Sequence, residues 1–315
     1  MTSSISFGDR LDHVIAKSGS VVCVGLDPRT SSLPPSLCPR DPHDPAAVAQ
    51  AYETFCIGIL DAVAAHVAVV KPQAAFFEEQ GPAGMVALGR VISHAVRRGL
   101  LVILDGKRND IGTTAEAYAR GYLGAQSPWQ CDALTISPYL GQDSIEPFLA
   151  RCDQTNSGVF VLVKTSNPGG GYLQDQIAGS QPIYRHVAKL VTALNDSRQG
   201  ASGYGPVGAV VGATYPEQLQ ELRSAMPATP ILIPGFGAQG GAAKDVSYGF
   251  DAKGRGAVVN SSRHILFAFE RPEFREKFGA TQWQAAAEAA TIEMNQQLNA
   301  VRPGQRAPGN PTSAI

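Results

Sequence analysis

The sequence has little aromatic content (7%), two tryptophans, and almost no net charge, with 26 Lys and Arg against 27 Asp and Glu. A balance of −1 leaves no strongly basic face for a phosphate backbone, so nucleic acid is not an expected partner. Cysteine is scarce and odd in number. Cys23, Cys38, Cys56, Cys131 and Cys152 are scattered, with no C-x-x-C spacing. That argues against a disulfide framework or a zinc site, and Cys23 and Cys56, lying in apolar runs, read as small core residues. No apolar run reads as long enough to span a bilayer, and MTSSISFGDRLDH lacks a signal-peptide core. A cytoplasmic location without a membrane partner is the expectation.

What is present is a repeated alternation. Short runs rich in Val, Ile and Leu occur at 21–26, 67–71, 100–105, 133–137, 158–164, 207–213, 231–235 and 256–262. They lack clean polar alternation, as strands buried on both faces of a parallel sheet do. Between them lie segments with helical spacing. PAAVAQAYETFCIGILDAVAAH follows the start signal DPHDP, and MVALGRVISHAVRRG ends in Arg and Gly. Eight β-then-α units predict an α/β fold, a single (β/α)8 TIM barrel over residues 1–301. A doubly wound open sheet is the rival, weakened by the lack of G-x-G-x-x-G after the first strand. The Pro/Ser-rich stretch 28–45 reads as a long loop, and 302–315 as a disordered tail.

In such a barrel, chemistry belongs at the C-terminal ends of the strands. Asp27 closes the first strand, Lys71 the second, and the third runs into LDGKRNDIGTTAE. On an extended backbone Asp105 and Lys107 face one side, sharing parity with Leu101 and Ile103. Asp110 follows in the loop. Thr113-x-x-Glu116 has the form of a capping box, so the helix is expected to start there and leave Asp110 free to be aimed elsewhere. A structural ion-pair network could also occupy a barrel mouth. Several converging charges are costly to bury without a use for them, which favours a functional cluster. At the other side of the mouth, GFGAQGGAA and NSSRH put small residues before a helix start. There, backbone N–H groups and Arg263 suit an anion, and barrels commonly bind phosphate after strands seven and eight.

These residues resemble the orotidine 5′-monophosphate decarboxylase family, in its longer bacterial branch. Its D-x-K-x-x-D signature stands here as Asp105-Gly-Lys107-Arg-Asn-Asp110, and the version K-R-N-D-I-G-x-T matches that branch. VGLDPR with Asp27, VKPQAAFFE with Lys71, KTSNPGG with Ser166, IPGFGAQGG with Gln239 and VVNSSR with Arg263 follow in order. The resemblance implies decarboxylation of orotidine 5′-monophosphate to UMP in pyrimidine biosynthesis, by a cytoplasmic homodimer with shared sites and no cofactor or metal. Position by position, it implies that Asp27 and Lys71 hold the ribose hydroxyls and that Lys107 donates the proton to C6. It implies that Asp105 crowds the substrate carboxylate and that Asp110, with Thr114, reaches the neighbouring subunit's site. Ser166 would bind the pyrimidine, and Gln239 and Arg263 the phosphate. Segments 167–175 and GAQGG are the expected lids.

Plainer readings stand beside these. Asp27 could cap the turn at Pro28, Lys71 could form a salt bridge, and Ser166 could serve a turn. Gln239 could be a loop residue, Arg263 a surface residue at a helix start, and Thr114 part of the helix start. Lys164 is expected in a structural pair. Loss of CO2 leaves a C6 vinyl carbanion that the ring's π-system cannot delocalise. No pattern for an electron-sink cofactor is present, so an ammonium beside C6 would have to stabilise and then protonate it. Two alternatives are a metal-dependent sugar-phosphate barrel enzyme and a non-catalytic nucleotide-binding barrel. Lys71 stands where, in the first, a metal-ligating Glu is expected.

Overall fold

The computed structural model describes residues 5–236 and 243–304. Eight parallel strands close into a barrel: β1 (Val22–Leu26), β2 (Val69–Pro72), β3 (Leu101–Arg108), β4 (Ala133–Ile136), β5 (Gly158–Lys164), β6 (Val207–Val211), β7 (Ile231–Ile233) and β8 (Ala257–Ser261). Each pairs with its sequence neighbour, and β8 returns to β1. The eight expected runs are all strands, and every residue of β1, β2, β4, β6, β7 and β8 is buried, as apolar runs without alternation require. A two-stranded hairpin (Ile177–Ala178 with Gln181–Pro182) interrupts the β5–β6 crossover.

The helices start and stop where their ends are satisfied. Asp44 caps the helix Pro45–Val63 by accepting the N–H of Ala46 at 2.9 Å, with Pro45 at the first position. That helix is apolar enough, by length and composition, to cross a membrane (mean hydropathy 1.3), contrary to the expectation. Its apolarity has another use. Half of the stretch is buried, and it packs against the helices Gly81–Arg97 and Trp283–Val301, with Phe55 and Trp283 rings 5.1 Å apart. An additional helix, Phe7–Ser18, precedes the first β-then-α unit. It sets Phe7 edge-on to Phe160 at 6.1 Å, over the N-terminal ends of the strands, where Gly158 leaves room for the Phe7 ring.

Two expected irregular regions, 28–45 and the described start of 302–315, and the connecting segment 196–206 are more ordered than their composition suggests. The 28–45 loop contains two short 3-10 turns, Thr30–Ser32 and Pro35–Leu37, and is anchored by Tyr52, whose hydroxyl accepts the N–H of Thr30 at 3.1 Å. The segment 196–206 docks on the first helix, because Asp9 accepts the N–H groups of Ala201 and Ser202 at 3.1 and 2.7 Å. The expected tail begins too early at 302. Arg302 is buried and donates through Nε to the carbonyl of Gly254 at 3.0 Å. A guanidinium that satisfies a buried carbonyl holds the chain where Pro, Gly and charge would suggest fraying. Residues 305–315 lie outside the described part.

Candidate active site

The register puts Cys23, Gly25, Val69, Lys71, Ile103, Asp105 and Thr135 on one face of their strands, with Lys71, Asp105 and Thr135 lining a cavity at the C-terminal mouth. Lys71 Nζ donates to Asp105 Oδ2 at 2.7 Å, and Lys107 Nζ donates to Asp105 Oδ1 at 2.6 Å. Gln73 Nε2 reaches Oδ2 at 3.0 Å, and the Thr135 hydroxyl donates to Oδ1 at 3.0 Å. One carboxylate therefore accepts four hydrogen bonds, two of them from ammonium groups, which is what a buried charge requires.

Burial alone would raise the Asp105 carboxyl, but the ammoniums of Lys71 and Lys107 hold it well below the usual carboxylate range. Burial pulls the Lys71 ammonium down, and the charges of Asp105 and Asp27 outweigh that and hold it above an ordinary lysine. The two lysines differ in access. The Lys71 side chain is 5% exposed and that of Lys107 48%, so Lys107 is the more accessible of the two cations lining the cavity. Asp27 lines a second lobe of the mouth with Gln73, Asp105 and Lys107, and its Oδ1 is buried without a hydrogen-bond partner among the described residues. Such an acceptor suits a ligand hydroxyl.

Lys107 does not sit on an extended backbone. Between Leu104 and Arg108 the register slips, four steps along β3 facing two along β4, and Lys107 has φ +44°. Asp105 and Lys107 do meet, through this bulge and not through simple alternation. The capping-box reading is also corrected. The helix runs Gly112–Tyr122 with Ile111 at its cap position, so Thr113 lies inside the first turn. Gly112, at φ +52°, makes the turn that a β-branched residue would resist. Asp110 Oδ1 accepts the N–H of Ile111 at 2.8 Å, and Asp110 is not among the ion-pair partners of Lys107 within this chain. Thr114 is exposed on the helix.

Ser166 follows β5 and lines the Lys107 cavity with Thr165, Asn167 and Leu162. Gly212 makes this possible, since a Cβ there would stand 2.8 Å from the Ser166 Cα. Lys164 is paired as expected, donating to Asp175 Oδ1 at 2.5 Å. Arg263 opens a one-turn helix, Arg263–Leu266, and is exposed. A helix this short carries little dipole, so any anion affinity there rests on the guanidinium itself. Gln239 and the GAQGG segment lie outside the described residues. Gln73 and Thr135 were missed as site residues. Thr135 carried a signal, a polar side chain at the inward parity of an otherwise apolar strand, and Gln73 another, a polar residue at the parity of Lys71 just past its strand's end.

Comparison with known proteins agrees with this geometry. Residues 20–274 match the family described as orotidine 5′-phosphate decarboxylase / HUMPS. The chain is 61% identical over 301 residues to the orotidine 5′-phosphate decarboxylase of Rhodopirellula baltica, covering 93% of this chain and 99% of that one. Among solved structures, the OMP decarboxylase of Leishmania donovani superposes with a TM-score of 0.73 at 34% identity, over 95% of this chain and 99% of that one. The UMP synthase of the same organism superposes at 0.76 and 35% identity over 95% of this chain, which spans 57% of that longer protein.

Proposed function

Given that this chain belongs to the orotidine 5′-phosphate decarboxylase / HUMPS family, we infer that its Lys71–Asp105–Lys107 cluster carries the decarboxylation of orotidine 5′-monophosphate. The activity is that of a carboxy-lyase, giving UMP and CO2. The single observation that carries the reading is the Asp105 carboxylate held between two ammonium groups at 2.7 and 2.6 Å at the cavity, one buried and one half exposed.

The roles follow from that arrangement. Lys107 stands beside C6, stabilises negative charge as CO2 departs, and then delivers its proton to the carbon. Asp105 pairs with the ammonium and fixes its direction. Its charge also opposes the substrate carboxylate in the ground state, a secondary contribution that is relieved as CO2 leaves. Lys71, buried, holds Asp105 in place through one hydrogen bond and, with the unpartnered Asp27 oxygen, receives the ribose hydroxyls through its remaining donors. Ser166 takes the pyrimidine edge, and Arg263, with Gln239, the phosphate. Energy from the remote phosphate can drive closure of the 167–175 loop and exclude water around the reacting carbon.

A second copy completes the site. Asp110, with Thr114, reaches the partner's cavity. This is supported by the absence of an ion-pair partner for Asp110 among the described residues and by exposed Ile111, Tyr139 and Leu140 on neighbouring elements at the same rim. The step belongs to the formation of UMP in pyrimidine biosynthesis. The test of the activity is the ultraviolet absorbance of EDTA-treated protein mixed with orotidine 5′-monophosphate. Loss of the orotate band with UMP as product, without added metal, is expected. A flat trace from folded protein refutes the reading.

A further inference from the structure

The Gly106–Lys107 peptide unit is tethered at both ends. Its carbonyl oxygen, on Gly106, accepts from Arg108 Nη1 at 2.8 Å. Its N–H, on Lys107, donates to Thr135 Oγ1 at 2.9 Å. The rotation of this peptide plane sets ψ of Gly106 and φ of Lys107, and therefore where the Lys107 N–H points; the Thr135 hydroxyl that accepts it donates to Asp105 Oδ1, the oxygen that also receives Lys107 Nζ. Gly106 offers little resistance to rotation, and Lys107 at φ +44° is strained, so a flip of the plane would relieve the backbone, withdraw the N–H from Thr135 and loosen the Thr135–Asp105 contact that holds the Lys107 ammonium in line. Something must hold it.

Arg108 is built to do so. Its Nη2 donates to the Tyr122 hydroxyl at 3.0 Å and is ion-paired with Glu78. The guanidinium lies over the rings of Tyr118 and Tyr122 at 5.7 and 5.4 Å, and the side chain is 18% exposed. A planar fork fixed on its far side by an acid, a phenol and two aromatic faces presents Nη1 to the Gly106 carbonyl with little freedom. Lysine could offer a charge there but no second arm.

We propose that Arg108 is a positioning residue for the reaction, pinning the Gly106–Lys107 peptide in its strained orientation so that the Lys107 ammonium points at the reacting carbon. The inference rests on the assignment of Lys107 as the proton donor. Arg108 touches neither substrate nor reacting atoms and acts through the backbone of its neighbour.

The test compares Arg108→Met, Arg108→Lys and Lys107→Ala in the full chain. Two readouts are used, steady-state decarboxylation and the exchange of the C6 hydrogen of UMP for deuterium in D2O, which reads proton transfer at C6 without CO2 loss. Arg108→Met is expected to lower kcat roughly 10–100-fold, the scale of a misplacement near 1 Å. Its exchange rate should fall by a similar factor, while KM and the Kd for UMP stay within about twofold of wild type by the same reasoning, that binding contacts are untouched. Arg108→Lys should recover part of both rates and serves alone if the Met variant does not fold. A folded Arg108→Met or Arg108→Lys protein with wild-type kcat and exchange overturns the proposal, as does a change confined to KM. Lys107→Ala separates the two claims. If it retains turnover, the proton-donor assignment fails. If it is inactive while both Arg108 variants are fully active, that assignment survives and the positioning role alone is wrong.

Discussion

Lys164 Nζ donates to Asp175 Oδ1 at 2.5 Å, so the last residue of β5 is joined to the far end of the loop that carries Ser166. The lysine side chain is 2% exposed and the aspartate 45%, and the ammonium is flanked by the rings of Tyr184 and Tyr215 at 5.6 and 5.2 Å. Asp175→Ala leaves a buried cation with only π faces for company. We expect a stability loss of about 1–3 kcal/mol, less than for a fully buried pair because the carboxylate is half exposed. KM should rise as the Ser166 loop loosens. Urea unfolding and steady-state kinetics check both, and Lys164→Met should cost less stability than Asp175→Ala.

Lys107→Ala removes the more accessible of the two cations lining the cavity. Turnover should fall by at least about 10⁴-fold, on the scale of losing a group that acts only in the transition state, while UMP binding measured by calorimetry survives. Substantial remaining activity would show that the carbanion is stabilised elsewhere.

The Lys71–Asp105 pair also shapes stability against pH. Asp105 titrates below its unfolded value, so its contribution is present above the ordinary carboxylate range and is lost as pH falls through the depressed folded value. Lys71 titrates above its unfolded value, so its contribution is present below the ordinary lysine range and fades only as pH rises through the elevated folded value. Between roughly pH 5 and 9 the pair should add no slope. Asp105→Asn leaves Lys71 buried and poorly compensated, at a cost of about 3–5 kcal/mol near neutrality. The gap between wild type and variant, measured by denaturant unfolding, should narrow as pH falls. A gap that widens in acid would contradict this sign.

If Arg263 binds the phosphate as proposed, Arg263→Ala should raise KM more than it lowers kcat, because a contact far from the reacting carbon contributes mostly uniform binding. The check is the KM-against-kcat split, with inorganic phosphite or phosphate tested as a competitor. A selective fall in kcat would move Arg263 into the reacting part of the site.

The proposed sharing of sites between two copies can be tested by mixing. On that proposal, Lys107→Ala and Asp110→Ala proteins should each be nearly inactive. Mixed and allowed to exchange subunits, they should regain activity, because one site of each hybrid then has both wild-type residues. No recovery, with exchange demonstrated by mass-tagged subunits, would confine Asp110 to its own chain.

Much of this protein was legible in one dimension. The apolar runs identify the eight strands because strands buried on both faces cannot alternate, and β5 is found to the residue at 158–164. Charges at the strand ends announce the mouth, since Asp27, Lys71, Asp105 and Lys107 have no reason to close apolar strands unless they meet. Asp44 and Pro45 mark a helix start by local chemistry alone. What remained hidden depends on contacts between distant segments. Thr135 matters because the register brings it to Asp105 and to the Lys107 N–H, and nothing in ALTIS reports that partner. The bulge at 104–108, the left-handed Lys107, the Arg108 grip on Gly106 and the helix start at Gly112 arise from packing β3 against β4 and the Tyr122 helix, where tertiary satisfaction of buried polar groups overrides local capping preference. Arg302 shows the same at the chain's end, where one buried carbonyl on Gly254 keeps a charged, proline-flanked segment in place. Local sequence determined which elements form and which end of the barrel is charged. Tertiary structure decided where Lys107 points, because direction is set by hydrogen bonds to residues that are near only after the barrel closes.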